Sequence, residues 1–294
     1  MIENINWYPG HMKKTRELIQ ENLKMVDIVI EVIDARIPLS SRNPIIDELV
    51  QSKKRIIILN KSDLADASAN KAWSEKFAAG GNIVLEMDAN HGTGIKELYK
   101  VLEKLQAEKN SERTLAKPLR MMIVGVPNVG KSSLINRMTG KKSAKTGDKP
   151  GVTRGKQWLG LENGMQLLDT PGILWHKFED PHVGLNLAFC GSIKDEIFDI
   201  SDLALELVKV LQKEYPDLLI NRYKLDGLFK EGDESPETGY PLEEEQEIAL
   251  ANMEAIAKKR GCVMAGKRID YERVAKMLLD EFRSGTIGLI TLEH

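Results

Sequence analysis

The segment Gly125-Val-Pro-Asn-Val-Gly-Lys-Ser132 restricts the fold more than any other part of this chain. It matches the pattern G-x-x-x-x-G-K-S/T, with the apolar run Met121–Val124 before it and the amphipathic stretch Lys131–Thr139 after it. That context requires a strand, a tight loop and a helix. The glycines let successive N–H groups curl around an anion, and the helix aims its positive end at the same place. The phosphates of a nucleotide suit such a cradle. Val129, Gly130, Lys131, Ser132 and Ser133 are the candidate contacts. Lys131 is placed to neutralise the β- and γ-phosphates, and the Ser132 hydroxyl to ligate magnesium.

The flanking pattern agrees with an α/β fold. Val26–Val32, Arg55–Leu59, Asn82–Glu86, Met121–Val124 and Met165–Leu168 read as buried strands. His11–Met25, Ala67–Ala79, Ile95–Glu108 and Lys131–Thr139 read as helices. Near-continuous apolar strands alternating with helices predict a parallel sheet covered on both faces. Beyond about residue 177 the texture turns helical. Asp199–Lys213, Leu242–Arg260 and Asp270–Arg283 carry apolar residues at helical spacing, and Asp226–Tyr240 reads as loop. The expected division is an α/β domain over residues 1–177 and a smaller all-helical domain over 178–294.

Three further segments fit the same ligand. Asn60-Lys-Ser-Asp63 follows the strand Arg55–Leu59 and matches N-K-x-D. Guanine presents its N1–H and N2 amino group as adjacent donors, which one carboxylate accepts in a fork; adenine lacks the pair. Asp63 is placed for that role, the stem of Lys61 for covering the ring and Asn60 for bracing the loop, with Ser62 between them. Asp88-Ala89, after Asn82–Glu86, offers a backbone N–H to guanine O6, although the more usual Ser-Ala is absent. Asp169-Thr-Pro-Gly172 follows Met165–Leu168. Its Asp169 reaches magnesium, and the Gly172 N–H meets the γ-phosphate, so this loop senses whether that phosphate is present. Thr153, between the phosphate loop and Asp169, is the candidate switch threonine completing the magnesium shell. Alone, NKSD could be an Asx turn and DTPG a Pro-Gly turn; beside a phosphate loop they read as nucleotide contacts.

Together these pieces resemble the GTPase domain of the translation-factor class, and their order narrows the match. The usual order is phosphate loop, switch threonine, DxxG, NKxD and the small guanine loop. Here NKSD and Asp88-Ala89 come first, which is the order of a circularly permuted GTPase. The flanks Trp7-Tyr-Pro-Gly-His-Met12, Asp34-Ala-Arg-Ile-Pro38, Lys145-Thr-Gly-Asp-Lys-Pro-Gly151 and Asp169-Thr-Pro-Gly-Ile-Leu-Trp175 are similar to the bacterial ribosome biogenesis GTPase A family. The resemblance covers nearly the whole chain. It implies binding of GTP and GDP, GTP hydrolysis with magnesium, and a role in late maturation of the large ribosomal subunit. The implied partners are the precursor of that subunit and its rRNA, with the protein a monomer away from the ribosome. A permuted sheet keeps its core if the old termini lay close together, and the polar stretch Lys109–Lys117 is the expected join. The permutation also makes the DTPG loop lead straight into the helical domain, so that loss of the γ-phosphate changes the angle between domains.

Hydrolysis is expected to be slow in isolation and faster on the large subunit. Many GTPases carry a water-orienting glutamine directly after DxxG, and this chain has Ile173 there. Lys131 and Thr153 remain as catalytic candidates beside two replacements. Asn128 resembles the asparagine that coordinates potassium in cation-dependent GTPases; its other reading is a loop brace. His11 is a candidate for orienting or deprotonating the attacking water, its other reading being a structural histidine.

Composition limits the remaining possibilities. Lysine and arginine number 42 against 44 aspartate and glutamate, so only local patches can attract nucleic acid. Two such patches stand out: Arg137, Lys141, Lys142, Lys145, Lys149, Arg154 and Lys156 near Thr153, and Lys258–Arg260, Lys267, Arg268, Arg273 and Lys276 in the helical part. The two cysteines, Cys190 and Cys262, are too few for a disulfide framework and suit the cytoplasm. No apolar run approaches the ~20 residues of a membrane span. A GTPase coupled to tRNA modification would need a catalytic or cofactor domain that is not evident. A GTP-gated RNA-binding scaffold with negligible turnover remains the alternative.

Overall fold

The structure is a computed structural model that describes residues 17, 19–50, 53–111, 113–140, 157–169, 180–236 and 238–294, apart from the side chains at 45, 157, 162 and 169. Two compact units are distinguished: Met1–Gly184 with Glu293–His294, and Leu185–Leu292.

The first unit is built on a sheet of six strands: β1 (Ile28–Asp34), β2 (Lys54–Asn60), β3 (Ile83–Met87), β4 (Arg120–Val124), β5 (Gln157–Gly160) and β6 (Gln166–Asp169). Their spatial order is β3-β2-β1-β4-β6-β5. Strand β1 lies in the middle, pairing in parallel with β2 (Ile28↔Lys54) and with β4 (Ile28↔Met121), and all seven of its residues are buried. The helices α1 (Pro44–Val50), α2 (Ala67–Ala79), α3 (Ile95–Asn110) and α4 (Lys131–Thr139) belong to this unit, and residues 19–23 are helical too, with Ile19 and Leu23 buried in its core. Helix α2 starts where Asp66 accepts the N–H groups of Ser68 and Ala69, a cap worth ~1 kcal/mol. It packs Trp73 and Phe77 against Ile33, Ile57 and Leu59 of the sheet.

Two elements were not expected from the sequence, and one of them breaks the parallel pattern of the sheet. Strand β5 is antiparallel to β6, with Trp158 opposite Leu168. Its four residues, QWLG, sit at the sheet edge and carry too little apolar alternation to announce a strand. Helix α1 is likewise too short to show periodicity.

The polar stretch after α3 is tied down at both ends. Asn110 accepts the N–H of Lys117 at 2.9 Å and donates to its carbonyl at 3.1 Å. Lys109 Nζ donates to the Pro118 carbonyl at 2.7 Å and to Asp27 at 2.6 Å. One asparagine thus closes the connection between the third and fourth strands. Strand order, not strand direction, reverses between the parallel strands β1 and β4, the one leading outward to β2 and β3 and the other to β6. A crevice at the carboxyl ends of strands flanking such a point is where open α/β sheets bind ligands.

The second unit contains most of α5 (Pro181–Phe189), then α6 (Ile200–Glu214), α7 (Pro216–Tyr223), α8 (Glu245–Arg260) and α9 (Tyr271–Arg283). Asp199 caps α6, a Glu244/Glu247 capping box starts α8, and Asp270 caps α9. Leu203, Leu207, Val208 and Leu211 of α6 are buried, as are Leu278, Leu279 and Phe282 of α9, and the two helices pack together.

Candidate functional site

The phosphate loop follows β4 and delivers the chain into α4. Gly125, at φ 152, leaves no room for a side chain: a Cβ there would lie 2.3 Å from the Val32 carbonyl of β1. Gly130, at φ 101, is constrained by another segment, since its Cβ would fall 2.1 Å from Asn60 Nδ2. Only glycine lets the loop pass this asparagine. Lys131 is buried, with Nζ donating to the Val126 carbonyl at 2.6 Å, so its ammonium is folded back over the loop. Ser132 and Ser133 are half-buried in the first turn of α4, and Asn128 is exposed with a left-handed backbone at φ 59.

The segment after β2 is joined to this loop by a single side chain. Asn60 Nδ2 donates to the Val129 carbonyl at 2.7 Å, and its Oδ1 accepts the Ala89 N–H at 2.9 Å. Asn60 therefore connects the loops after β2, β3 and β4. Ser62 adds a second tie, its N–H and hydroxyl both donating to the Met87 carbonyl, at 3.2 and 3.1 Å. Asp63 is exposed, and its carboxylate lies within 4.8 Å of the Asp88 carboxylate and the His91 ring. The acceptor proposed for a purine's donor edge thus stands beside the loop proposed for its carbonyl.

Aspartate at position 88, in place of the usual serine, shapes its own loop. Its Oδ1 accepts the N–H groups of Asn90 and His91 at 2.9 and 3.0 Å, an Asx turn, and its Oδ2 meets His91 Nδ1 at 2.5 Å. Burial works to raise the Asp88 pKa, but the His91 and Asn90 donors outweigh it and hold the carboxyl below its ordinary value. A carboxylate with this many local donors does the turn-forming work of a hydroxyl.

Two supports of the site were not legible as such in the sequence. Asp34 and Arg36 form a buried ion pair at the end of β1, and Lys61 Nζ reaches the same carboxylate at 2.8 Å. The DARIP segment signalled kinship and no role. Arg137, which the sequence places in a basic surface patch, is exposed and donates from the last turn of α4 to the carbonyls of Ala89, at 3.3 Å, and Asn90. It thereby braces the loop after β3, a role that the sequence did not announce. The other members of that patch, Lys141, Lys142, Lys145, Lys149, Arg154 and Lys156, lie outside the described residues. So do His11, Thr153 and Gly172. Asp169 ends β6, which pairs in parallel with β4, so its backbone stands next to the strand that feeds the phosphate loop.

The helical unit's basic run is partly committed. Arg260 pairs with Glu281 at 2.7 Å, Lys259 with Asp226 at 3.2 Å, and Lys276 with Glu272. Lys267 and Arg268 are exposed and have no ion-pair partner among the described residues.

An N-K-x-D segment, a small purine loop and then a phosphate loop, all at the carboxyl ends of strands of one sheet and in this chain order, define a circularly permuted P-loop GTPase. Comparison with known proteins agrees. A family described as "50S ribosome-binding GTPase" matches residues 120–226. The chain is 44% identical to the ribosome biogenesis GTPase A of Bacillus cereus, over 98% of this chain and 93% of that one. It is 34% identical to the mouse mitochondrial ribosome-associated GTPase 1, over 98% of this chain and 90% of that one. A crystal structure of GNP-bound YlqF from T. maritima superposes with a TM-score of 0.59 at 27% identity, covering 96% of this chain and 98% of the other. The chain belongs to the ribosome biogenesis GTPase A family.

Proposed function

We propose that this protein is a GTP-hydrolysing factor for late assembly of the large ribosomal subunit, with rRNA of the subunit precursor as its macromolecular partner. The observation that carries the reading is the placement of Asn60, whose side chain joins the phosphate loop to both base-reading segments, so that one guanine nucleotide meets all three. Asp63 accepts the guanine N1–H and N2 amino donors, and the Asp88-Ala89 loop, held in place by the bond of the Ala89 N–H to Asn60, faces O6. Lys131 releases the Val126 carbonyl and turns to the β- and γ-phosphates, joined by N–H groups of Val129 to Ser133.

The donor set also suits a magnesium ion. Hard oxygen ligands are what that ion takes, and the Ser132 hydroxyl, Asp169 and Thr153 supply them. Bound there, magnesium would offset phosphate charge as it builds on the transferring group. Asn128 is the residue for a potassium ion that would add charge where other GTPases use an arginine finger. With Ile173 unable to hold water, turnover is slow until the ribosome, or His11, orients the nucleophile. The γ-phosphate contact of Gly172 couples nucleotide state to the helical part, and Lys267 with Arg268 offers it phosphate contacts on RNA. A ribosome-assembly role fits action in the cytoplasm, and no described helix is long and apolar enough to cross a membrane.

The test is GTP turnover by the purified protein with and without large subunits, alongside nucleotide preference. Asp63→Asn should lower GDP affinity by roughly a hundredfold and favour xanthine nucleotides, whose C2 carbonyl accepts from the new amide. A guanine preference that survives this change sinks the base-reading assignment. Turnover that large subunits leave unchanged favours the RNA-binding scaffold.

A further inference from the structure

Asp34 is a buried carboxylate with several donors and no access to water. Arg36, equally buried, grips both of its oxygens: Nε donates to Oδ1 at 3.0 Å and Nη2 to Oδ2 at 2.8 Å. The Arg36 N–H adds a bond to Oδ1 at 3.1 Å. The remaining donor comes from another part of the chain, Lys61 Nζ, 2.8 Å from Oδ2. Neighbouring backbone is fixed too: the Asp34 N–H donates to Ser41 Oγ at 3.0 Å, and the Ala35 N–H to the Asn60 carbonyl at 2.8 Å. Burial pushes the Asp34 carboxyl up, but Arg36 and Lys61 outweigh it and hold it well below the carboxylate range.

Stability alone does not account for this arrangement. Two charges taken out of water and a third that is half-buried must recover their hydration from one another, and apolar side chains of similar volume often serve a core as well or better. The placement of the third charge is more informative. Lys61 has a left-handed backbone, φ 59, which a non-glycine residue adopts only when its surroundings hold it there. It stands between Asn60 and Asp63, and its ammonium is drawn back to the end of β1, the strand beside β4 and its phosphate loop. The four-carbon stem is therefore stretched between two fixed points. Its rotamers are restricted before any ligand arrives, and its charge is already spent on Asp34.

We propose that Asp34, clamped by Arg36, is a positioning residue for guanine-nucleotide binding: it anchors Lys61 so that the lysine stem and the adjoining base-reading loop are set before the nucleotide binds. The inference rests on the reading of Asn60–Asp63 as the base-reading loop. An anchored stem gives the base an apolar cover at little further loss of freedom, which is how preorganisation raises affinity. The lysine acts here through its stem and its anchor, with no attraction to the phosphates.

A double-mutant cycle on the full chain tests this, using titration with a fluorescent GDP and a melting curve for each variant. Asp34→Asn and Lys61→Met should each weaken GDP binding about tenfold, and the double variant no more than the weaker single, because both break one contact. Lys61→Arg, which keeps a charge for Asp34, should stay within about threefold of the parent. Losses that add in the double variant, or a folded Asp34→Asn protein that binds GDP as the parent does, overturn the proposal. Should Asp34→Asn fail to fold, the comparison of Lys61→Met with Lys61→Arg decides. Both retain a stem, so equal affinities mean that the anchor does not matter. Asp63→Asn run in parallel separates the two levels. If it abolishes guanine preference while the cycle is additive, the anchor alone is wrong; if guanine preference persists, the base-reading assignment fails as well.

Discussion

Among the described residues, the sheet unit buries the charged side chains of Glu31, Asp34, Arg36, Asp88 and Lys131, whereas the helical unit buries that of Glu254 alone. Four of those five belong to loops at the carboxyl ends of strands or to the phosphate loop. The helical unit keeps its charges in half-exposed pairs, such as Arg222 with Glu281 at 2.7 Å and Arg283 with Asp195 at 2.6 Å, around a core of leucine, valine and phenylalanine. Burying charge is costly, and an apolar core achieves stability without it. The charges of the sheet unit are therefore a sign of ligand work, concentrated where donors and acceptors must stand still.

That contrast can be broken most forcefully from the helical side. Leu207→Ala removes a fully buried side chain from α6 and should cost the protein roughly 3–4 kcal/mol of stability. GDP affinity measured below the melting transition should not move, because the cavity lies far in function from the purine and phosphate loops. A loss of affinity equal to the loss of stability would mean that the two cores do not divide the labour.

Gly130→Ala is the counterpart in the sheet unit. The added methyl meets Asn60 Nδ2 and a backbone that favours glycine, so GDP affinity should fall about a hundredfold, about 3 kcal/mol. Melting temperature should fall much less, since the loop is local. Near-normal affinity in a titration would show that the Asn60 bridge is dispensable.

The smallest effect sharpens the comparison at Glu31, the buried charge inside β1. Burial raises its pKa above the ordinary 4.5, against the pull of Arg42 and Arg55, and its Oε1 has no hydrogen-bond partner among the described residues. A raised folded pKa means that the folded form holds its proton more tightly. The resulting stability is present below the unfolded value and is lost as pH rises through the folded one. Glu31→Gln should therefore gain on the parent protein as pH climbs from about 4.5, by on the order of 1 kcal/mol. Melting curves of both proteins across that range check the sign; a gap that narrows with rising pH refutes it.

Much of this was legible in the residues because loops that hold phosphate and guanine use fixed chemistry at fixed spacing. Gly125–Ser132 and Asn60–Asp63 announced the strands that precede them, and the structure joins the two segments through Asn60. The long amphipathic helices α2, α3, α6 and α9 were equally visible from their period. What escaped depended on contacts remote in sequence. Asp34 and Arg36 look like any polar turn until Lys61 is seen to reach them from 27 residues away. The bracing contact of Arg137, itself exposed, was hidden because nothing in the sequence tells that α4 ends beside the Ala89 carbonyl. Strand β5 and helix α1 were hidden for the opposite reason, being too short to carry a period.

The bridge from Asn60 to the Val129 carbonyl spans 69 positions. During synthesis Asn60 leaves the exit tunnel well before the strand and loop at 120–131. A chain that has emerged only as far as β3 therefore lacks the carbonyl that Asn60 holds, and the loops after β2, β3 and β4 can be joined only once the fourth strand stands beside the first.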